Sequence, residues 1–156
     1  MEGKQRALEL AFRALSARER TEHELRGFLE RRRLEAPVIE DAIAEMVSLG
    51  FVDDAGYAER FTADRRLLDQ WGSERIAQDL ARRGVDRDLI EGALTGVERA
   101  DELQVAVDLL DRRYQSPFDG DRDRDKAWRM LVRRGYAAEV AYEAVRRHEQ
   151  GLADAA

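Results

Sequence analysis

The sequence predicts an all-α protein: three tandem three-helix repeats stacked into an elongated, curved array. Three observations carry that expectation. Ala, Leu, Glu and Arg dominate a chain of 156 residues that has only two prolines, Pro37 and Pro117, and this composition favours helix. No stretch alternates with the two-residue period of a half-buried strand. The chain also repeats itself at a period of 51 residues.

The repeat emerges when residues 24–43, 75–94 and 126–145 are set beneath one another without gaps. Leu29, Leu80 and Leu131 then share a column, as do Ala42, Ala93 and Ala144. The pairs Arg31-Arg32, Arg82-Arg83 and Arg133-Arg134 coincide, and Arg33 extends the first pair. Seven of the twenty columns are apolar in all three copies, beginning with Leu25, Ile76 and Ala127. Chance at this composition would give roughly two. The repeats are expected over 1–52, 53–100 and 101–150, with 151–156 as a C-terminal tail.

In the first repeat, Ala7, Leu8, Ala11, Phe12 and Leu15 recur at helical spacing. Thr21 and Glu24 have the spacing of a capping box that opens a second helix carrying Leu25, Phe28 and Leu29. Pro37 suits the first turn of a third, with Val38, Ile39, Ala42, Ile43, Met46 and Val47 on its face and Gly50 as its stop. In the second repeat, Asp53 or Asp54 can cap a helix bearing Tyr57, Ala58, Phe61 and Leu68, which Trp71-Gly72-Ser73 ends. The next helix carries Ile76 and Leu80 and stops at Gly84. Asp86 then caps one with Leu89, Ile90, Ala93, Leu94 and Val97. In the third repeat the helices are expected over 101–114, through Ala127, Trp128 and Leu131 to Gly135, and through Val140, Ala144 and Val145 to about His148. Gln115–Arg124 reads as a polar connector.

Composition excludes several functions. Cysteine is absent, which removes disulfides, thiolate catalysis and cysteine-ligated metals. No run reaches the ~20 apolar residues of a membrane span, and no signal-peptide core is present, so a cytoplasmic protein is expected. The net charge is −6, distributed as −1 over residues 1–50, −3 over 51–100 and −2 over 101–156. No segment is a basic domain, which argues against naked nucleic acid as the main partner.

Candidate chemistry is sparse. His23 and His148, in different repeats, lack partners at ligand spacing and read as surface or half-buried histidines. Asp119, Asp121, Asp123 and Asp125 suggest a calcium loop, but Arg124 and Met130 stand where that loop needs glycine and glutamate. Asp53-Asp54 are explained by helix capping. No phosphate-binding glycine loop and no nucleophile motif is present, so neither an enzyme nor a cofactor is expected. The arginine steps are the most informative polar feature. One cation at a helix C-terminus is explained by the helix dipole, but two at one register in three copies point to a binding surface. The candidates are Arg31, Arg32, Arg82, Arg83, Arg133 and Arg134, with Arg65 and Arg66 as a second step of the same kind.

The run Gly50-Phe51-Val52-Asp53-Asp54, followed by Tyr57-Ala58, Phe61 and Arg65, resembles the RecX family of RecA regulators. The likeness continues through Gly72, Ile76, Leu80, Arg83-Gly84-Val85, Ile90 and Ala93-Leu94, and then Leu131 and Arg133-Arg134-Gly135-Tyr136. It covers roughly residues 5–148. The resemblance implies a non-enzymatic protein that binds the RecA–DNA filament and lowers recombinase activity and the SOS response. A monomer is expected, with at most weak contact with DNA within the filament, given the acidic charge. Arg65, Arg83, Arg133 and Arg134 carry over as surface determinants, and Phe51, Tyr57, Phe61 and Leu131 as core. Two rivals are a helix-turn-helix DNA-binding protein and a helical adaptor for an unrelated protein. The first needs a basic recognition helix, and Val38–Leu49 has no Lys or Arg.

Overall fold

The computed structural model describes residues 1–96 and 98–156. Among the described residues the chain is all-helical: α1 Glu2–Ala17, α2 Glu22–Glu30, α3 Ala36–Ser48, α4 Asp54–Asp69, α5 Ser73–Arg82, α6 Arg87–Leu94, α7 Arg99–Arg113, α8 Asp121–Arg133 and α9 Ala138–Ala155. Val97, which the spacing assigned to the sixth helix, lies outside the described residues.

Local chemistry starts and stops these helices. Thr21 Oγ1 accepts from the Glu24 N–H at 3.1 Å while Glu24 Oε1 accepts from the Thr21 N–H at 3.2 Å, completing the capping box of α2. Pro37 lies in the first turn of α3, where its missing N–H deprives the helix of nothing. Asp53 Oδ1 accepts from the Gly56 N–H at 3.1 Å at the start of α4. Asp54 instead caps a different helix, accepting from the Glu22 N–H of α2 at 3.0 Å.

Two compact units divide the chain. The first comprises Met1–Arg60 and Asp79–Ala93, the second Phe61–Gln78 and Leu94–Ala156. The core of the first packs Ala7 and Ala11 of α1 against Leu25 and Leu29 of α2 and Ile39, Ala42, Ile43 and Met46 of α3. The small alanines of α1 let its backbone approach closely, and the branched residues of α3 fill the space between. The core of the second joins Leu103, Ala106 and Leu110 of α7, Ala127 and Leu131 of α8, and Val140, Ala141 and Ala144 of α9. Leu29, Leu80 and Leu131 are each fully buried, as their shared column requires.

Several expectations are corrected. Phe51 is 52% exposed rather than core. The turn after Gly50 (φ 78°) sends the Phe51 and Val52 N–H groups back to the Met46 carbonyl, and Val52 takes the inward position. Phe51 is left outside, packed edge-on against Phe12 with ring centroids 5.3 Å apart. Phe12, Val47 and Leu68 are likewise exposed. Along α4 the covered positions fall at Ala58, Thr62, Arg65 and Asp69, and Leu68 is one residue out of that helical phase. Phe61 is half-buried. α8 begins at Asp121, so the polar connector is shorter than expected, and Asp121 and Asp123 form the acidic first turn of a helix. α9 runs on through Ala155, so 151–155 is helix rather than a tail.

His148 is fully buried on α9, not a surface histidine. Its Nδ1 lies 2.6 Å from Asp111 Oδ1 of α7, and the Tyr114 and Phe118 rings pack beside it. Sequence spacing could not show this, because the pairing joins residues 37 apart.

Candidate partner-binding arginines

The eight arginines singled out from the sequence separate into an engaged set and an outward set. Arg83, Arg134, Arg65 and Arg66 are half-buried and tied into the chain. Arg83 donates from Nε to Asp79 Oδ2 at 3.2 Å and from Nη1 to the Tyr57 hydroxyl at 2.7 Å. Burial pulls its guanidinium pKa down, but the Tyr57 and Asp79 oxygens outweigh this and hold it above the usual value. Arg134 donates from Nη1 to the Asp69 carbonyl at 2.6 Å. Arg65 pairs with the Asp69 carboxylate, its guanidinium 5.7 Å from the Phe61 ring centroid and 5.8 Å from that of Trp71. Arg66 donates to Ser73 Oγ at 2.9 Å and lies 3.8 Å from Glu102. Its pKa is lowered by burial, against which the Glu102 charge works.

Arg31, Arg32, Arg82 and Arg133 face outward. Arg31 is the C-cap residue of α2. Arg32 lies over the Phe28 ring, its guanidinium carbon 3.5 Å from the centroid, and donates to the Phe28 carbonyl at 3.2 Å. Arg82 pairs with Asp79 at 2.8 Å, yet its side chain is 72% exposed. Arg133 has no ion-pair partner among the described residues. For Arg82-Arg83 and Arg133-Arg134 the division has a helical cause: adjacent residues point about 100° apart, so when the second arginine turns towards the neighbouring helices the first is carried out to solvent.

The structure brings some candidates together. In the second unit, Arg133 and Arg134 border a depression of about 530 Å³ with Trp71, Arg75, Asp69 and Leu68. Arg75 covers Trp71, its guanidinium 3.9 Å from the ring centroid, and has no carboxylate partner among the described residues. In the first unit, Arg82 and Arg83 border a shallow depression with Arg18, Glu24 and Asp79. Sequence reasoning missed Arg75, because it stands outside the repeated pairs, and missed Arg18 and Arg20 beside α2. Arg20 stacks on Phe28 at 4.9 Å from its centroid. Its pKa is lowered by burial first and then by the charges of Arg18, Arg31 and Arg32. That like-charge crowding marks a local basic patch on an acidic chain. No group of three or more His, Cys, Asp or Glu side chains that could hold a metal ion occurs among the described residues.

Residues 7–46 match the first three-helix domain of RecX, and residues 53–94 match its second. The chain belongs to the RecX family. The regulatory protein RecX of Deinococcus radiodurans is 37% identical over 93% of this chain and 69% of its own length. That of Mycolicibacterium vanbaalenii is 34% identical over 90% of this chain and 81% of its own. The crystal structure of RecX from Lactobacillus salivarius superposes with a TM-score of 0.84, covering 96% of this chain and 98% of that one at 20% identity. At that identity the superposition speaks for the fold, including the third repeat, which lies outside both matched family domains. These RecX relatives are described as regulatory proteins.

Proposed function

We propose that this chain is a non-enzymatic regulator that binds RecA or the RecA–DNA filament and lowers its ATPase, recombinase and SOS-inducing activities. The observation that carries this reading is family membership over nearly the whole chain, with relatives described as regulatory proteins. Action is stoichiometric, by a monomer in the cytoplasm. No helix among the described residues is long and apolar enough to cross a membrane.

The contacts are assigned to local basic steps, because a net charge of −6 gives no general attraction to a nucleoprotein filament. Arg31, Arg32, Arg82 and Arg133 supply them from the outward set. Arg65, Arg66, Arg83 and Arg134 support the surface from beneath through their bonds within the chain. A guanidinium fork suits either carboxylates on the recombinase or phosphates of its bound strand. DNA reading by a helix-turn-helix is disfavoured, since α3, from Ala36 to Ser48, has no Lys or Arg.

The test is RecA's DNA-dependent ATPase, titrated with this protein. Progressive inhibition towards a stoichiometric end point is expected. Unchanged hydrolysis at a large excess of folded protein rejects the reading, and capture of free DNA without RecA would favour the helix-turn-helix alternative.

A further inference from the structure

The 51-residue repeat places one depression in each unit, and the two differ in charge. In the first unit the depression is bordered by Arg18, Glu24, Asp79, Arg82 and Arg83. The residues 51 further along are Asp69, Arg75, Met130, Arg133 and Arg134, and all five border the depression of the second unit. A left-handed turn lies behind each. Gly84 (φ 80°) sits against His23 and Gly135 (φ 101°) against Arg75, and a Cβ on either glycine would overlap its neighbour. Arg33, exposed and with φ 59°, holds the same column in the first repeat.

The first depression is neutralised from within. Arg18 pairs with Glu24 at 3.2 Å, and Asp79 receives both Arg82 at 2.8 Å and Arg83 at 3.2 Å. In the second depression both of those acids are replaced. Arg75 stands at the position of Glu24, and Met130 at that of Asp79. The carboxylate gained there, Asp69 in place of Arg18, is held by Arg65. Arg134 is committed to the Asp69 carbonyl. Arg75 and Arg133 are left with no hydrogen-bond or ion-pair partner among the described residues. On a chain of net charge −6, this depression offers two unanswered cations.

We infer that the depression of the second unit docks an acidic segment of a partner protein, with Arg75 and Arg133 receiving carboxylates and Leu68 and Met130 an apolar side chain. The inference specifies the partner chemistry of the regulator proposed above, and rests on that reading only for the partner's being RecA. Charge complementarity selects an anion, and a guanidinium fork matches the two oxygens of a carboxylate. Arg75 is already held over the Trp71 ring at 3.9 Å, so it loses little freedom on binding. Leu68 is 64% exposed beside these cations, which suits a polypeptide carrying both acidic and apolar residues. A nucleic-acid base finds less here, because Arg75, Arg65 and Phe61 already engage Trp71. A volume of about 530 Å³ holds a few side chains of an extended segment.

The experiment is fluorescence anisotropy on the full chain with a labelled peptide of Glu, Asp and Leu. The same peptide with Gln and Asn for its acids, and an oligothymidylate of equal charge, serve as comparisons. The acidic peptide should bind saturably, and the amide peptide should not. Arg75→Gln and Arg133→Gln should each weaken binding about tenfold, the loss of one charge-assisted contact. Arg87→Gln removes an exposed charge from the first unit and should change nothing. Circular dichroism checks folding, and Arg133, exposed on the surface, decides the matter if Arg75→Gln is destabilised. Arg75→Gln should also raise the concentration needed to half-inhibit the RecA ATPase. A wild type that binds the peptide yet leaves that ATPase unchanged rejects the regulator reading and supports the acidic site. The inference is overturned by a wild type that ignores the peptide, or by folded Arg75→Gln and Arg133→Gln variants that bind it undiminished. Tighter binding of the oligothymidylate, lost in the same variants, overturns it in favour of nucleic acid.

Discussion

Arg134 Nη1 donates to the carbonyl of Asp69 at 2.6 Å, so a side chain from the end of α8 closes the C-terminal end of α4. The adjacent Gln70 carbonyl accepts from the Tyr136 hydroxyl at 2.8 Å. A partly buried cation at a helix C-terminus satisfies an orphan carbonyl and opposes the helix dipole, which together contribute on the order of 1–2 kcal/mol. This lock is why the two members of the Arg133-Arg134 step have different roles. Removing the second loosens the fold, whereas removing the first touches only the surface.

Charge reversal should separate those roles. Arg82→Glu with Arg133→Glu is expected to leave stability within about 1 kcal/mol of the parent, as exposed substitutions usually do. The same pair should weaken inhibition of the RecA ATPase. Arg134→Glu should lower the melting temperature by itself, by placing a carboxylate against the Asp69 carbonyl. Thermal melts and ATPase titrations check both arms. If the outward arginines meet phosphate, the affinity lost should shrink markedly as salt rises. A folded double variant that inhibits as well as the parent removes these arginines from the binding surface.

The shared leucine column gives a stability prediction. Leu80→Ala and Leu131→Ala each leave a void at a fully buried site, and each should cost about 2–5 kcal/mol. Urea denaturation followed by circular dichroism measures this. An unchanged midpoint for either variant would contradict its burial.

The glycine column predicts unequal responses to reciprocal changes. Gly84→Ala and Gly135→Ala combine left-handed strain with overlap against His23 or Arg75, and should destabilise by about 1–3 kcal/mol. Arg33→Gly should shift stability by less than about 1 kcal/mol. Relief of left-handed strain, roughly 1–2 kcal/mol, is largely offset by the greater backbone freedom that glycine gives the unfolded chain. Comparable losses for all three variants would mean that Arg33 is covered like its counterparts.

Tyr136 makes the second unit alkali-sensitive. Burial, reinforced by the Glu102 charge, raises its phenol pKa from the ordinary value of 10.0 to about 12. The native state thus holds a proton that the unfolded chain releases earlier. The associated stability is fully present below about pH 10 and is lost as the pH rises to about 12, a change of order 2 kcal/mol. Denaturation midpoints should fall over that interval in the wild type and fall less in Tyr136→Phe. The phenylalanine variant should also be less stable at neutral pH, because the Gln70 carbonyl loses its donor. Parallel pH profiles for the two proteins would exclude Tyr136 as the responsible group.

Much of this architecture was legible without coordinates, because it is set by local chemistry. The capping box at Thr21 and Glu24, Pro37 in the first turn of α3, and the left-handed glycines at 50, 84 and 135 act within a few residues, so spacing reveals them. The repeat was equally legible, since each repeat buries the same position of its second helix, Leu29, Leu80 and Leu131 in turn. Which side of a helix that face occupies is a further matter. Phe51 and Leu68 are apolar and close to phase, yet the turn at Gly50 and the register of α4 put them in solvent.

The candidate surface was legible only as residue types. Sequence alone determined that arginines recur in pairs at the ends of second helices, that cysteine is absent, and that the family is RecX, because those features survive as spacing and identity. Tertiary structure decided which arginines of these pairs are available. Arg83 finds the Tyr57 hydroxyl 26 residues away and Arg134 finds the Asp69 carbonyl 65 residues away, while Arg82 and Arg133 remain in water. It also decided that His148 is buried against Asp111 and that Arg33 stands uncovered where its two counterparts must be glycine. The physical reason is common to all of these. Local propensity depends on neighbours along the chain, whereas burial and hydrogen-bond partnership depend on groups that only packing brings within reach.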